Sequence, residues 1–249
     1  MLPIRDVNPT RAHPLITWAI IAACVLVFFA VQPESGSRAE VEFLYERAAI
    51  ACEIKTGDPL DLAEIQDDFC RDQPSKPFFA QKNVWLAVGV SMFLHGGIAH
   101  LLFNMWSLWI FGNNVEEAFG PLGYLLLYGA SGVVATAGFV WANPDTTVPL
   151  VGASGAIAGV MGAYLVLFPR HLVLTLIIFR IVAIPAVFFL GIWFVSQFVL
   201  VDETAGIAWE AHVAGFLFGM AVALPLRRRL RANTMNPEPV ASPASTAGF

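Results

Sequence analysis

The stretch "TTVPLVGASGAIAGV", Thr146 to Val160, decides how the rest of the chain is read. Its first half holds Pro149 and Gly152, which break a helix, and its second half is a run of small and apolar residues that continue one. Ser154 therefore stands where a helix begins, beside unpaired amides and a partially positive helix end. The tetrapeptide GASG also occurs earlier, in "YLLLYGASGVVATAG", but there Ser131 sits in mid-helix, where a small residue serves close packing. Taken alone, without the histidines, Ser154 reads as an N-cap serine.

The solvent follows from composition. Of 249 residues, 57% are hydrophobic and only 13% charged, which points to a membrane protein. Apolar runs of spanning length predict helices at Leu15 to Val31, Ala99 to Gly112, Leu122 to Trp141, Ser154 to Phe168, Val182 to Val201 and Ala208 to Leu226. The expected fold is an all-α bundle of six transmembrane helices over residues 15–231, with an N-terminal arm at 1–14, a large first loop at 32–83 and a disordered tail at 232–249. Arg5, Arg11, Arg170, Arg180 and the cluster Arg227 to Arg231 flank the spans on one side, so both termini are read as cytoplasmic and the loop 32–83 as outside. That loop carries eleven acids against six bases, and the chain has no basic face suited to nucleic acid. Cys52 and Cys70 fall in it, which leaves a disulfide or two free thiols equally open, while Cys24 is read as packing. With no organelle-targeting segment in view, the expected location is a bacterial inner membrane.

Inside a bilayer each polar residue needs a partner or a purpose. The candidates are His95, His100 and Asn104 in "SMFLHGGIAHLLFNMWSLWIFG", then Ser131, Ser154, Gln197, Glu210 and His212. No aspartate lies in a predicted span, which argues against a paired-carboxylate protease. His95 and His100, five residues apart, do not face a common metal, and no cofactor is expected. Gln197 reads as a packing hydrogen bond, Glu210 as a marker of the outer boundary, and His13 and His171 as solvated at the cytoplasmic face.

Depth separates the two serines. Ser154 lies sixteen residues from Arg170, His212 fifteen from Arg227 and His100 sixteen from Glu116, or roughly 22 to 24 Å along each helix. Ser131 lies only ten residues above Pro121, roughly 15 Å. Ser154, His212 and His100 thus share a level that Ser131 does not reach. Gly155, Gly159 and Gly162 on the fourth span and Ala211, Gly215 and Gly219 on the sixth form small-residue stripes along which two backbones can approach. His212 suits a general base near neutral pH, and His100 with Asn104, one turn apart, can aim donors at one point.

The motifs "HGGIAHLLFN", "GASG" and "AHVAG", in this order on the second, fourth and sixth spans, resemble those of the rhomboid intramembrane serine proteases. The resemblance implies a Ser154–His212 dyad, an oxyanion hole from His100, Asn104 and the Ser154 amide, and supporting roles for Gly152, Gly155 and Gly215. It further implies endopeptidase action on transmembrane protein substrates from the outer face of the membrane. His95 matches a structural position. The chain departs from the family pattern at Trp85, which lacks an arginine partner, and at Ala158, where some members place an aromatic beneath the histidine. A non-catalytic relative that binds transmembrane helices is the alternative. A transporter is disfavoured because the polar residues gather toward one face and no inverted repeat is found.

Overall fold

The computed structural model describes residues 1–71, 75–199 and 208–234. It is mostly helical, and its longest element explains the rest. Helix α6 here denotes Ile98–Ala142, a continuous run broken only at Gly120, whose φ of 72° and ψ of 163° reverse the chain ahead of Pro121. Glycine is required there, because a side chain disfavours that region, and Pro121 then starts the second arm without needing an amide partner. The arms 98–119 and 121–142 run back along each other. Met92, just before the first arm, lies against Gly132 of the second, and a Cβ on Gly112 would touch the Tyr124 hydroxyl at 2.7 Å.

Ahead of α6 the chain forms strand β1 (Leu2–Asp6), helix α1 (Leu15–Leu26) and a π turn over Val27–Val31 that ends where the Gln32 amide bonds the Val27 carbonyl. The segment 32–83 then folds into short helices α2 (Arg38–Arg47), α3 (Ala51–Thr56) and α4 (Leu62–Asp67), followed by α5 (Val84–Ser91). Cys52 and Cys70 are joined in a disulfide, which settles the open question of their pairing, and Ile50 and Leu60 pack beside it. Asp61 and Glu64 form a capping box on α4. Beneath them Lys82 Nζ meets Glu53 Oε2 at 2.5 Å, both side chains being almost fully enclosed. Burial raises the Glu53 pKa and lowers that of Lys82, each opposed by the partner's charge.

The helix α7 (Ser154–Leu167) is the axis of the bundle, and nearly every one of its residues is buried. It packs most extensively against α9 (Trp209–Ala232) and α6. Backbone contact makes this possible. A Cβ on Gly155 would strike Ala135, one on Gly162 would strike the Phe216 carbonyl, and one on Gly215 or Gly219 would strike the carbonyl of Gly155 or Gly159. The two predicted small-residue stripes therefore face each other.

Between α7 and α8 (Ala186–Val199) the structure corrects the all-α expectation. Strands β2 (Leu172–Ile177) and β3 (Arg180–Pro185) form a hairpin, and β1 adds to β2 to complete an antiparallel sheet in the order β1-β2-β3. The expected span from Val182 thus begins only at Ala186, and residues 200 and 201 lie outside the described part. In "LVLTLIIFRIVAIP" every position is apolar or β-branched apart from Arg180, so helical and strand periods cannot be told apart by composition. The strand shows only in its alternation, with Val173 and Thr175 fully buried. His171 is also corrected, since it is buried against Phe168 rather than solvated. Helix α9 continues through the arginine cluster to Ala232, and most of the expected tail, 235–249, lies outside the described residues.

Contacts at the sheet end hold the helices together. Tyr164 donates to Asp6 Oδ2 at 2.8 Å, the Trp106 indole to the Pro3 carbonyl at 2.6 Å, and Asn114 to the Asn8 carbonyl at 2.7 Å. Burial pushes the Asp6 carboxyl up to about 7 against the lowering effect of the Tyr164 bond. Glu116 caps α1 from a distance, taking the Ile16 and Thr17 amides and the Thr17 hydroxyl within 2.9 Å.

Candidate active site

The residue at the start of α7 is not an N-cap. Ala153 holds that position, no side chain caps the helix, and Ser154 is its first residue. Its hydroxyl is consequently turned away from the helix amides toward α9, where His212 Nε2 lies 2.8 Å from Ser154 Oγ. Ser131 is elsewhere. It is fully buried in the second arm of α6 and would collide with a Cβ on Gly159, which makes it a packing residue of the α6–α7 contact.

Gly152 has a φ of 123°, and a Cβ there would lie 2.7 Å from His100 Nε2 and 3.5 Å from Ser154 Oγ. Only glycine therefore lets the loop pass between the imidazole and the serine. His100 and Asn104 come from the first arm of α6, and the buried Asn104 Nδ2 has no partner among the described residues. An amide donor left idle in this way is costly unless something else is meant to accept from it. Ser154, His212, His100, Asn104, Gly152 and Glu210 all line one open cavity of about 1140 Å³. Glu210 accepts from Asn143 at 2.9 Å rather than from the histidine.

His95 lies outside this group. Its backbone amide and carbonyl are bonded at 2.9 Å to the Gln32 side chain, and its ring packs 5.2 Å from that of His100, so it fixes the entry to α6. Trp85 is exposed. The cysteines that cluster with Glu64 are spent on each other, and Glu64 itself is taken up by the α4 cap.

Two neighbours of the imidazole come from α8: Gln197, which the sequence reading took for a packing hydrogen bond, and Trp193, which it passed over. Gln197 Oε1 is 2.8 Å from His212 Nδ1, and the Trp193 ring lies 6.1 Å from the imidazole. Both approach the His212 ring from α8, whereas Ala158 offers it no aromatic ring. The signal was present, since a lone amide in an apolar helix needs a partner and a base imidazole has a second nitrogen to satisfy.

The loop that presents Ser154 is held by the 32–83 segment. Leu150 donates to the Ala49 carbonyl at 2.8 Å, Cys52 to the Thr146 carbonyl at 3.1 Å and Thr147 to Asp68 at 2.5 Å. Ser91 bridges both parts, accepting from the Ala49 amide on its hydroxyl and from the Gly152 amide on its carbonyl.

Comparison with known proteins agrees with the motif pattern. The family model described as Rhomboid domain matches residues 82–229. Rhomboid protease GluP of Bacillus subtilis is 34% identical over 174 residues, covering 66% of this chain and 32% of that protein. YdcA of the same bacterium is 40% identical over 91 residues, 36% of this chain and 45% of the relative. Rhomboid protein 1, mitochondrial, of Saccharomyces cerevisiae is 30% identical over 161 residues, 57% and 44% respectively. The matched region spans less than half the length of each of these relatives.

Proposed function

Since the chain belongs to the rhomboid family, we propose that it is an intramembrane serine endopeptidase that hydrolyses peptide bonds in or next to transmembrane segments of membrane proteins. The observation that carries the reading is the 2.8 Å contact between Ser154 Oγ and His212 Nε2 at the head of a helix facing an open cavity.

In this reading six spans cross the bilayer: α1 with its π turn, the two arms of α6, α7, α8 and α9. By length and apolar composition α6 and α9 reach across most readily. Each arm of α6 has about 22 residues, or about 33 Å, against a hydrocarbon layer about 30 Å thick. With 14 residues, or about 21 Å, α7 falls short. The sheet and the arginine-bearing end of α9 face the cytoplasm with both termini, the segment 32–83 lies outside, and the space above α7 admits water to Ser154. A bacterial membrane is in keeping with the bacterial source of GluP, while the yeast relative is named as mitochondrial.

The chemistry follows from the donors and acceptors. His212 takes the Ser154 proton as Oγ attacks the scissile carbonyl. The developing oxyanion is met by His100, Asn104 and the Ser154 amide, whose helix end favours negative charge. His212 then returns the proton to the leaving amine, and water releases the acyl-enzyme. A helical substrate has its carbonyls bonded, so small or helix-breaking residues are expected near the cut.

The test is cleavage of a tagged single-span substrate in proteoliposomes by the wild type and by Ser154→Ala, His212→Ala and Ser131→Ala. Loss in the first two variants with retention in the third supports the dyad, and cleavage that survives Ser154→Ala overturns it. A wild type that retains a helix in pull-down without cutting any of a substrate panel supports the helix-binding alternative.

A further inference from the structure

The Gln197 amide is oriented by its own helix. Its Nε2 lies 3.1 Å from the Trp193 carbonyl, which can only accept, so Nε2 is the donor there and Oε1 must be the atom facing His212. An amide oxygen can only accept as well, so His212 Nδ1 carries the proton. Nε2 is then the bare nitrogen, and it is the one aimed at Ser154 Oγ at 2.8 Å. A single amide on α8 thus selects the one neutral tautomer of His212 that can act as a base toward Ser154.

Rings on α8 hold it against α9 and so fix where the amide stands: Phe194 on Phe216 at 4.9 Å, Trp193 on Phe216 at 5.7 Å and Phe198 on Trp209 at 5.5 Å.

Resting on the assignment of Ser154 and His212 as the reacting pair, we propose that Gln197 is the positioning residue of the base: by accepting from Nδ1 it keeps the ring oriented and Nε2 bare toward Ser154.

The experiment compares wild type, Gln197→Met and Gln197→Glu in proteoliposomes. Methionine keeps the length of the side chain without the acceptor, and glutamate keeps the acceptor. A whole general base contributes about 100-fold to 10,000-fold, so Gln197→Met is expected to lower kcat by about 10-fold to 100-fold with KM within about twofold. Gln197→Glu restores most of kcat. Nitrogen-15 spectra of His212 are expected to show the Nδ1-protonated tautomer in the wild type and a mixture in Gln197→Met. Wild-type kcat and an unchanged tautomer in Gln197→Met overturn the proposal, as does an equal loss in both variants, which would mean that side-chain packing and not the acceptor matters. The protease reading fails separately, when the wild type neither cleaves nor reacts at Ser154 with a fluorophosphonate.

Discussion

Replacement of Gly219 by alanine tests how far the site depends on the contact between α7 and α9. A Cβ on Gly219 would lie 2.6 Å from the carbonyl carbon and 2.8 Å from the Cα of Gly159, whereas carbon contacts settle at about 3.5 to 4.0 Å. Both opposing atoms are backbone and cannot rotate away, so α9 has to move off α7 by about 1 Å. His212 is seven residues earlier on the same helix, about 10 Å along its axis. A displacement of that size carries Nε2 from 2.8 Å to beyond hydrogen-bond range of Ser154 Oγ. Overpacking costs about 1 to 3 kcal/mol of stability, and a misplacement of about 1 Å at reacting groups costs about 100-fold in rate. The assay is proteoliposome cleavage with thermal unfolding measured on the same preparations. Gly129→Ala is the control, since nothing lies within 4 Å of its Cβ. Cleavage by Gly219→Ala within about twofold of wild type would refute the reasoning, because it would mean that the helices can part without moving the base.

Other perturbations probe the surroundings. Asp6, raised in the folded protein from 3.8 to about 7, contributes stability that is complete below about pH 4 and is lost as pH rises through about 7; thermal scans across that range should slope downward in the wild type and flatten in Asp6→Asn. Lys82→Ala leaves Glu53 buried without its cation, and a loss of about 3 to 5 kcal/mol is expected, with recovery when Glu53→Gln and Lys82→Met are combined and the denaturant midpoint is measured. Reducing the Cys52–Cys70 bond opens an 18-residue separation, worth about 3 kcal/mol. Cleavage should fall with it, because the Cys52 amide donates to the Thr146 carbonyl in the loop that leads to Ser154; unchanged cleavage after reduction would show that the presenting loop stands without the segment 32–83.

What the sequence disclosed and what it hid divide along a physical line. Ser154, His212 and His100 stood out as polar groups in apolar spans, and counting residues along straight helices puts those three at one level; Gly152 was legible as the break ahead of a helix. The sheet was hidden because residues 172–185 are almost uniformly apolar, so the alternation that places Val173 and Thr175 inward has no polar counterpart to mark it. The reversal at Gly120 could be read from "FGPLG", but the way the arms seat on α1 could not, since Glu116 served only as a depth reference for His100. Gln197 was visible and undervalued. Its partner lies 15 residues away on another helix, beyond the reach of any helical or strand period, so no local pattern joined the two.

The capping of α1 by Glu116 bears on the order in which the protein is made. The amides of Ile16 and Thr17 are 100 and 99 residues ahead of the carboxylate that satisfies them, which at synthesis rates of about 5 to 20 residues per second is an interval of roughly 5 to 20 s. For that time the leading amides of α1 lack the acceptor that the folded chain gives them. Its final seat is granted when the first arm of α6 emerges and brings the acid to it. The seat of the first helix is therefore completed only after the segment 32–83 and the first arm of α6 have both been made.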